Sequence, residues 1–144
     1  MAASKNYKFV ADVKQFAKLT EEAMAKVARD SVQDVMEAAM TTANGVMKGG
    51  SIIKGRMPVD TSVLVNSLSS TVVDRGSPSV GAASYITALA NYELGDTLLF
   101  QWHTKYAMFV EAGTSKFPGW HFVGYNAAQF SDYVEKNVRL HRVE

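Results

Sequence analysis

Asp60 and Glu111 are the two carboxylates that sit inside compact motifs, Pro58-Val59-Asp60-Thr61 and Tyr106-Ala107-Met108-Phe109-Val110-Glu111-Ala112-Gly113-Thr114. Two carboxyl groups roughly 5–9 Å apart can hydrolyse a glycosidic bond, one as acid and one as base or nucleophile. His103 adds a group that acid–base chemistry at neutral pH uses readily. Each also has a plainer role, which for His103 is a structural or surface one. Asp60 can cap a helix, and Glu111 can accept hydrogen bonds from backbone or from a nearby Lys or Arg. His103, His121 and His141 are scattered, with no HExxH pattern and no metal-ligand spacing. The chain lacks a GxSxG elbow and a GxGxxG turn. It has no cysteine, which excludes disulfides, thiol nucleophiles and Cys-based zinc sites. The expectation is no catalytic residue, no metal and no cofactor.

The Gly-rich stretch 44–57 carries Gly45, Gly49, Gly50 and Gly55 with Lys48, Lys54 and Arg56 between them. Glycine with lysine suggests a phosphate cradle, but that motif needs GxxxxGK[ST] after a strand, and here the stretch follows a helical pattern. It reads as a flexible, mildly basic loop.

The elements that position these residues alternate between helical and extended patterns. Val13, Phe16 and Ala17 have helical spacing, which predicts a short helix from about Asp12. Thr20 before Glu21 and Glu22 is a helix start. Met24, Ala28, Val32, Val35, Met36, Ala39 and Ala43 then form an apolar face, and Asn44-Gly45 is a stop, predicting one long amphipathic helix from Thr20 to Ala43. Pro58 breaks any helix before it, and Asp60 or Thr61 caps a short helix over 62–67. Leu68–Val73 and Thr97–Trp102 read as strands. Residues 74–78 and 94–96 are turns, and Val80–Leu89 is ambiguous between strand and helix. Thr104 opens a short helix through Glu111 that Gly113 closes. Phe122, Ala127, Phe130, Val134, Val138 and Leu140 give a final helix over about 123–140.

The fold class is α+β. A long N-terminal and a C-terminal helix pack on a small antiparallel or mixed sheet of about three or four strands. At 144 residues the chain reads as one domain, 1–144, with an N-terminal arm over 1–10 and loops at 44–57 and 112–120. Fifteen Lys+Arg against fourteen Asp+Glu give +1, and no stretch gathers the basic residues that phosphate-driven nucleic-acid binding needs. The N-terminus has no apolar signal-like segment, and no apolar run approaches the ~20 residues that span a bilayer. The expectation is a protein folded in a cytoplasm, without a membrane.

Two stretches resemble a known family. One runs Pro58-Val59-Asp60-Thr61-Ser62-Val63-Leu64-Val65-Asn66-Ser67-Leu68. The other is Tyr106–Thr114, followed by Phe117-Pro118-Gly119, then Phe122 and Ala127-Ala128. In order and rough spacing they resemble the tail-component family of long-tailed bacteriophages, with its Pro-x-Asp-Thr-Gly-x-Leu-x-x-Ser-Ile and Tyr-Ala-x-x-Val-Glu-x-Gly-Thr patterns. The resemblance runs from about residue 10 to the end, apart from 75–99. Pro58, Asp60, Thr61, Leu64 and Ser67 match the first pattern. Tyr106, Ala107, Val110, Glu111, Gly113 and Thr114 match the second. Ser62 stands where the family has Gly, which predicts an ordinary negative φ there. Leu68 replaces Ile, and Ala112 replaces a bulkier residue.

The resemblance implies a structural virion protein, a tail-completion or neck subunit assembled in the bacterial host. Such subunits form a ring, commonly a hexamer, that joins the tail to the DNA-filled head. Its partners would be further copies of itself, a head-side adaptor or connector, and a tail terminator or tail tube. DNA would pass through the lumen without sequence readout, and no cofactor is implied. The expected docking segments are the loops 44–57 and 112–120, with Lys48, Lys54, Arg56, Phe117 and Trp120 as contact residues. Trp102 is a further aromatic anchor, or else core. Other classes remain: a tail terminator, a head adaptor, or a small enzyme or ligand-binding domain using Asp60, His103 and Glu111.

Overall fold

The computed structural model describes residues 21–46, 49–59, 62–116 and 118–141. The expected short helix near Asp12, the Thr20 cap and the arm 1–10 lie outside the described residues.

Helix α1 spans Glu21–Ala39, with Glu21 and Glu22 in its first turn, where acids complement the helix dipole. It buries Ala23, Val27, Ser31, Met36 and Ala39. The expected face was centred one position away over its first turns, on Met24, Ala28 and Val32, which are only half-buried. Ser31 explains the offset, since a buried serine breaks the hydrophobic pattern. The helix ends at Ala39, short of the expected Ala43. Thr41 Oγ1 donates to the Glu37 carbonyl at 2.7 Å, filling an acceptor the next turn would have used. The chain then extends as β1, Thr42–Asn44, which pairs in parallel with β2, Met57–Val59. Pro58 therefore lies within a strand, in a two-stranded sheet where both strands are edges, a position proline tolerates.

A one-turn helix α2, Val63–Asn66, leads into β3, Leu68–Val72. β4, Ser79–Val80, and β5, Leu98–Trp102, flank β3 antiparallel in the order β4-β3-β5. Between them lies α3, Ser84–Ala90, so the ambiguous segment resolves as one strand residue, Val80, and then, after a turn, a helix. α3 packs on β3, joined by a 2.8 Å hydrogen bond between the buried Ser70 and Ser84 hydroxyls.

Helix α4 spans Ala107–Ala112, closed by Gly113 at φ 87°. The expected final helix is two: α5, Gly124–Ala127, and α6, Phe130–His141. α6 packs principally on α1 rather than on the sheet. Val138 joins Ala23 and Val27 in this seam, with Met24 and Val134 at its margin. Of the expected stripe, Phe122 and Val138 are buried, whereas Phe130 and Leu140 are exposed. Asn137 takes the interior place instead, donating to Ser31 Oγ at 3.1 Å and Asp34 Oδ2 at 3.0 Å. Arg29 ties α1 to the end of α3 by donating to the carbonyls of Leu89 and Tyr92, each at 3.1 Å. No helix among the described residues is long and apolar enough to cross a membrane.

Candidate functional site

The two motif stretches meet around one apolar cluster. Met57, Leu64 and Phe122 are its buried centre, and Met40, Val65, Trp102, Ala107, Val110 and Val123 pack against them. The edge of one ring meets the face of the other between Trp102 and Phe122, with centroids 5.1 Å apart and planes at 81°. Trp102 is thus largely core.

In the first stretch, Leu64 fills the cluster and Ser67 ties the turn. Ser67 Oγ donates to the Leu64 carbonyl at 2.8 Å and accepts from the His103 N–H at 3.2 Å. Asp60 and Thr61 lie outside the described residues. Ser62 has φ 65°, contrary to the negative φ expected from its replacing glycine. The left-handed turn is kept, and a short polar residue accepts it at some cost.

In the second stretch, Glu111 is the organising residue. Oε1 accepts from the Val123 N–H at 2.9 Å and Oε2 from the Gly124 N–H at 2.8 Å. Both donors open α5, where backbone N–H groups have no partner within the helix, so one carboxylate caps them from a distant segment. The main chain adds two bonds: Trp120 N–H donates to Val110 O at 2.7 Å and His121 N–H to Glu111 O at 3.1 Å. Gly113 bridges Pro118 across the loop, and Thr114 Oγ1 accepts from the Lys116 N–H at 3.2 Å. Gly119 permits this closure, since a Cβ there would stand 2.3 Å from the Glu111 carbonyl oxygen. Tyr106 is exposed at the start of α4, while Ala107 and Val110 turn into the cluster.

The two expected docking loops are tied to each other. Gly55 N–H donates to Trp120 O at 2.7 Å, and Asn126 Nδ2 donates to the carbonyls of Gly55 and Phe122, each at 2.8 Å. The 44–57 segment is therefore anchored at its strand ends and at Gly55, and is a free loop over less of its length than expected. Lys54 and Arg56 are exposed on it. Trp120 is only 6% exposed, so its side chain packs inward and is no anchor for a partner in this conformation. Lys48 and Phe117 lie outside the described residues.

His103 Nε2 hydrogen-bonds Ser69 Oγ at 2.7 Å, the pairing a nucleophile makes with its base. No carboxylate among the described residues bonds to His103. Glu111 is committed to the α5 cap, so the described geometry does not gather His103 and Glu111 into one acid–base set. Among the described residues no group of three His, Asp or Glu is placed to hold a metal ion. At the 74–96 turns, Arg75 joins Glu93 at 2.6 Å and Asp96 at 2.9 Å. The hydrogen bond from Arg75 holds the Glu93 carboxyl below its ordinary range and raises the guanidinium in turn.

Sequence reasoning missed what stands outside. Met108 is 72% and Phe109 58% exposed on α4, and Val80 is 75% exposed on β4. A signal was present in α4, where five of six residues are apolar. A helix apolar all round is one that something else covers. Asn126 and Gly119 carried no such signal, because their partners are distant backbone atoms. Comparison with protein-family models, with curated proteins and with solved structures gives no match for this chain.

Proposed function

We propose that this chain is a structural subunit of a long-tailed phage virion: a tail-completion or neck protein that closes into a ring, commonly a hexamer, at the head–tail junction. The observation that carries the reading is the division of labour in the second motif. Its polar group, Glu111, is spent inside the subunit, while Met108 and Phe109 stand in solvent from the same one-and-a-half-turn helix. Apolar side chains displayed from an internally braced element mark a surface built for contact. The near-neutral charge suits a lumen that DNA passes through without being read. In this reading the ring meets a head-side adaptor or connector on one face and a tail terminator or tail tube on the other. It assembles in the host cytoplasm.

The test is mass in solution by light scattering over a concentration series, paired with a search for the chain in intact virions. A species near six subunits, or copies in the virion neck, supports the reading. Met108→Ser with Phe109→Ser is expected to keep the circular dichroism spectrum and abolish assembly. A chain that stays monomeric and is absent from virions would sink the proposal.

A further inference from the structure

The described cations divide by place. Lys26 pairs with Glu22, Arg75 with Glu93 and Asp96, Lys136 with Asp34 and Arg139 with Glu135, and Arg29 donates to two carbonyls at the end of α3. The other four, Lys54, Arg56, Lys105 and Lys116, are exposed, and their side chains have no partner among the described residues. All four gather around α4. Arg56 N–H donates to Ile53 O at 3.1 Å, closing a turn with Gly55 at φ 85°. Gly55 N–H donates to Trp120 O and Trp120 N–H to Val110 O, both at 2.7 Å, so turn, loop and helix lie side by side. The turn carries Lys54 and Arg56, while Lys105 precedes α4 and Lys116 follows it. In the sequence between those two lysines, Met108 is 72% and Phe109 58% exposed. Glu111 is the one acid from Thr104 to His121, and its oxygens accept from the Val123 and Gly124 N–H groups, so it answers none of the four cations.

An apolar centre with a charged rim is the anatomy of a protein–protein contact. Duplex DNA would use the cations, but its phosphate backbone offers nothing to an exposed Met and Phe. A bilayer takes a long amphipathic face, and α4 offers two apolar side chains on six residues. A second copy of this chain has no matching surface among the described residues. Apart from Glu111, the acids with no cation beside them are Glu21, Glu37, Asp74 and Asp132. Glu21 and Glu37 stand about 24 Å apart along α1, Asp74 lies in the turn after β3, and Asp132 is in the first turn of α6. Four acids on three elements make no patch that answers four cations on one face.

We infer that the α4 face docks a different protein, on a surface where carboxylates rim an apolar pocket that takes Met108 and Phe109. The four cations steer the encounter and fix its orientation, and the two apolar side chains supply the buried centre. The inference rests on the reading of α4 as a contact surface given above, and it adds the chemistry of the partner. The assembly that α4 serves is then with a neighbouring protein rather than between copies.

The probe is a fluorescein-labelled peptide with Leu-Phe between two runs of Glu, added to the full chain and followed by anisotropy and by backbone hydrogen exchange. Binding is expected, with protection at 53–56 and 105–116, and it should weaken as salt is raised. Lys105→Glu with Lys116→Glu should weaken it about tenfold. Lys105→Arg with Lys116→Arg should leave it unchanged, and neither pair should alter the light-scattering mass. Replacing Leu-Phe in the peptide by Ser-Ser should also weaken binding. The inference is overturned if the peptide does not bind, or if its Lys counterpart or its Ser-Ser form binds as tightly. Tighter binding through the same residues to duplex DNA, or to vesicles of equal parts phosphatidylcholine and phosphatidylglycerol, overturns it too, since phosphate would then be the target. So does a lower light-scattering mass in the Lys→Glu pair, which would make α4 a joint between copies. A bound peptide with no multimer and no copies in virions leaves the surface standing and removes the ring reading. Multimers and virion copies without peptide binding do the reverse.

Discussion

The α1–α6 seam and the knot between α4 and α5 both place polar side chains in the interior, yet they use them differently. In the seam, Asn137 meets Ser31 and Asp34, and Lys136 adds an ion pair to Asp34 at 3.0 Å. These are bonds between side chains on two helices whose interior backbone groups are already satisfied. In the knot, Glu111 and Asn126 bond to backbone: the N–H groups of Val123 and Gly124, and the carbonyls of Gly55 and Phe122. There the chain turns too often to satisfy itself, and side chains complete its hydrogen bonding. Polar groups in the seam select which helix faces meet, and those in the knot are conditions for the loop path to exist. The seam should tolerate replacement by apolar residues of similar shape, and the knot should not.

The largest effect that would sharpen this contrast is at Gly119. An added Cβ would stand 2.3 Å from Glu111 O and 2.7 Å from the Ala112 carbonyl carbon. Both are backbone atoms held by α4, so the loop must move as a unit. Gly119→Ala is expected to cost about 3 kcal/mol, read from denaturant unfolding, with Trp120 fluorescence shifting toward the exposed range. Unchanged stability would mean that the loop closure is loose.

Glu111→Ala follows, at about 2 kcal/mol, the loss of charge-assisted bonds to two N–H groups at a helix start. Glu111→Gln keeps one acceptor oxygen and should lose about half as much. An effect of Glu111→Gln equal to that of Glu111→Ala would show that charge, rather than acceptor geometry, holds the cap.

The seam supplies the counterpart. Asn137→Ala should cost about 1 kcal/mol, because Ser31 is left buried without its partner. Ser31→Ala combined with Asn137→Leu removes both polar groups and should recover most of that loss. If the double substitution is as damaging as the single one, the seam is as dependent on its polar groups as the knot, and the contrast fails.

The contrast also marks what was legible in the sequence. Elements with periodic patterns and local signals were readable: β3, β5, the Gly113 stop and the turn at 94–96. The α1 face was misread by one position because Ser31 and Asn137 pair across 106 residues, and hydrophobic periodicity assigns such residues to solvent. Pro58 suggested a break, but the parallel pairing of Thr42–Asn44 with Met57–Val59 depends on a crossover connection that no local pattern encodes. The backbone-accepting role of Glu111 was legible as a possibility. That its partners are Val123 and Gly124 was not, since a carboxylate does not announce which N–H groups it will reach. Ser62 shows the reverse case, where the local rule for φ yielded to the turn that Leu64 and Ser67 require.

A third use of polar groups lies outside both regions and should have the smallest effect. Arg75 binds Glu93 and Asp96 at the surface, and Glu93 is held below its ordinary carboxyl range by the Arg75 hydrogen bond and charge. The folded chain then binds fewer protons at Glu93 than the unfolded chain does. Its contribution is present above the unfolded carboxyl value and is lost as pH falls through the folded one. Arg75 and Glu93 are open to solvent, so screening limits the consequence to the order of the 92–96 turn rather than to global unfolding. A carboxyl-detected NMR titration should find Glu93 titrating below the ordinary glutamate range, and Arg75→Ala should raise it. The midpoint of global unfolding should barely move. If acid loosens the knot or the seam as Glu93 takes up its proton, the turn is coupled to the interior, and the separation of surface pairing from interior bonding does not hold.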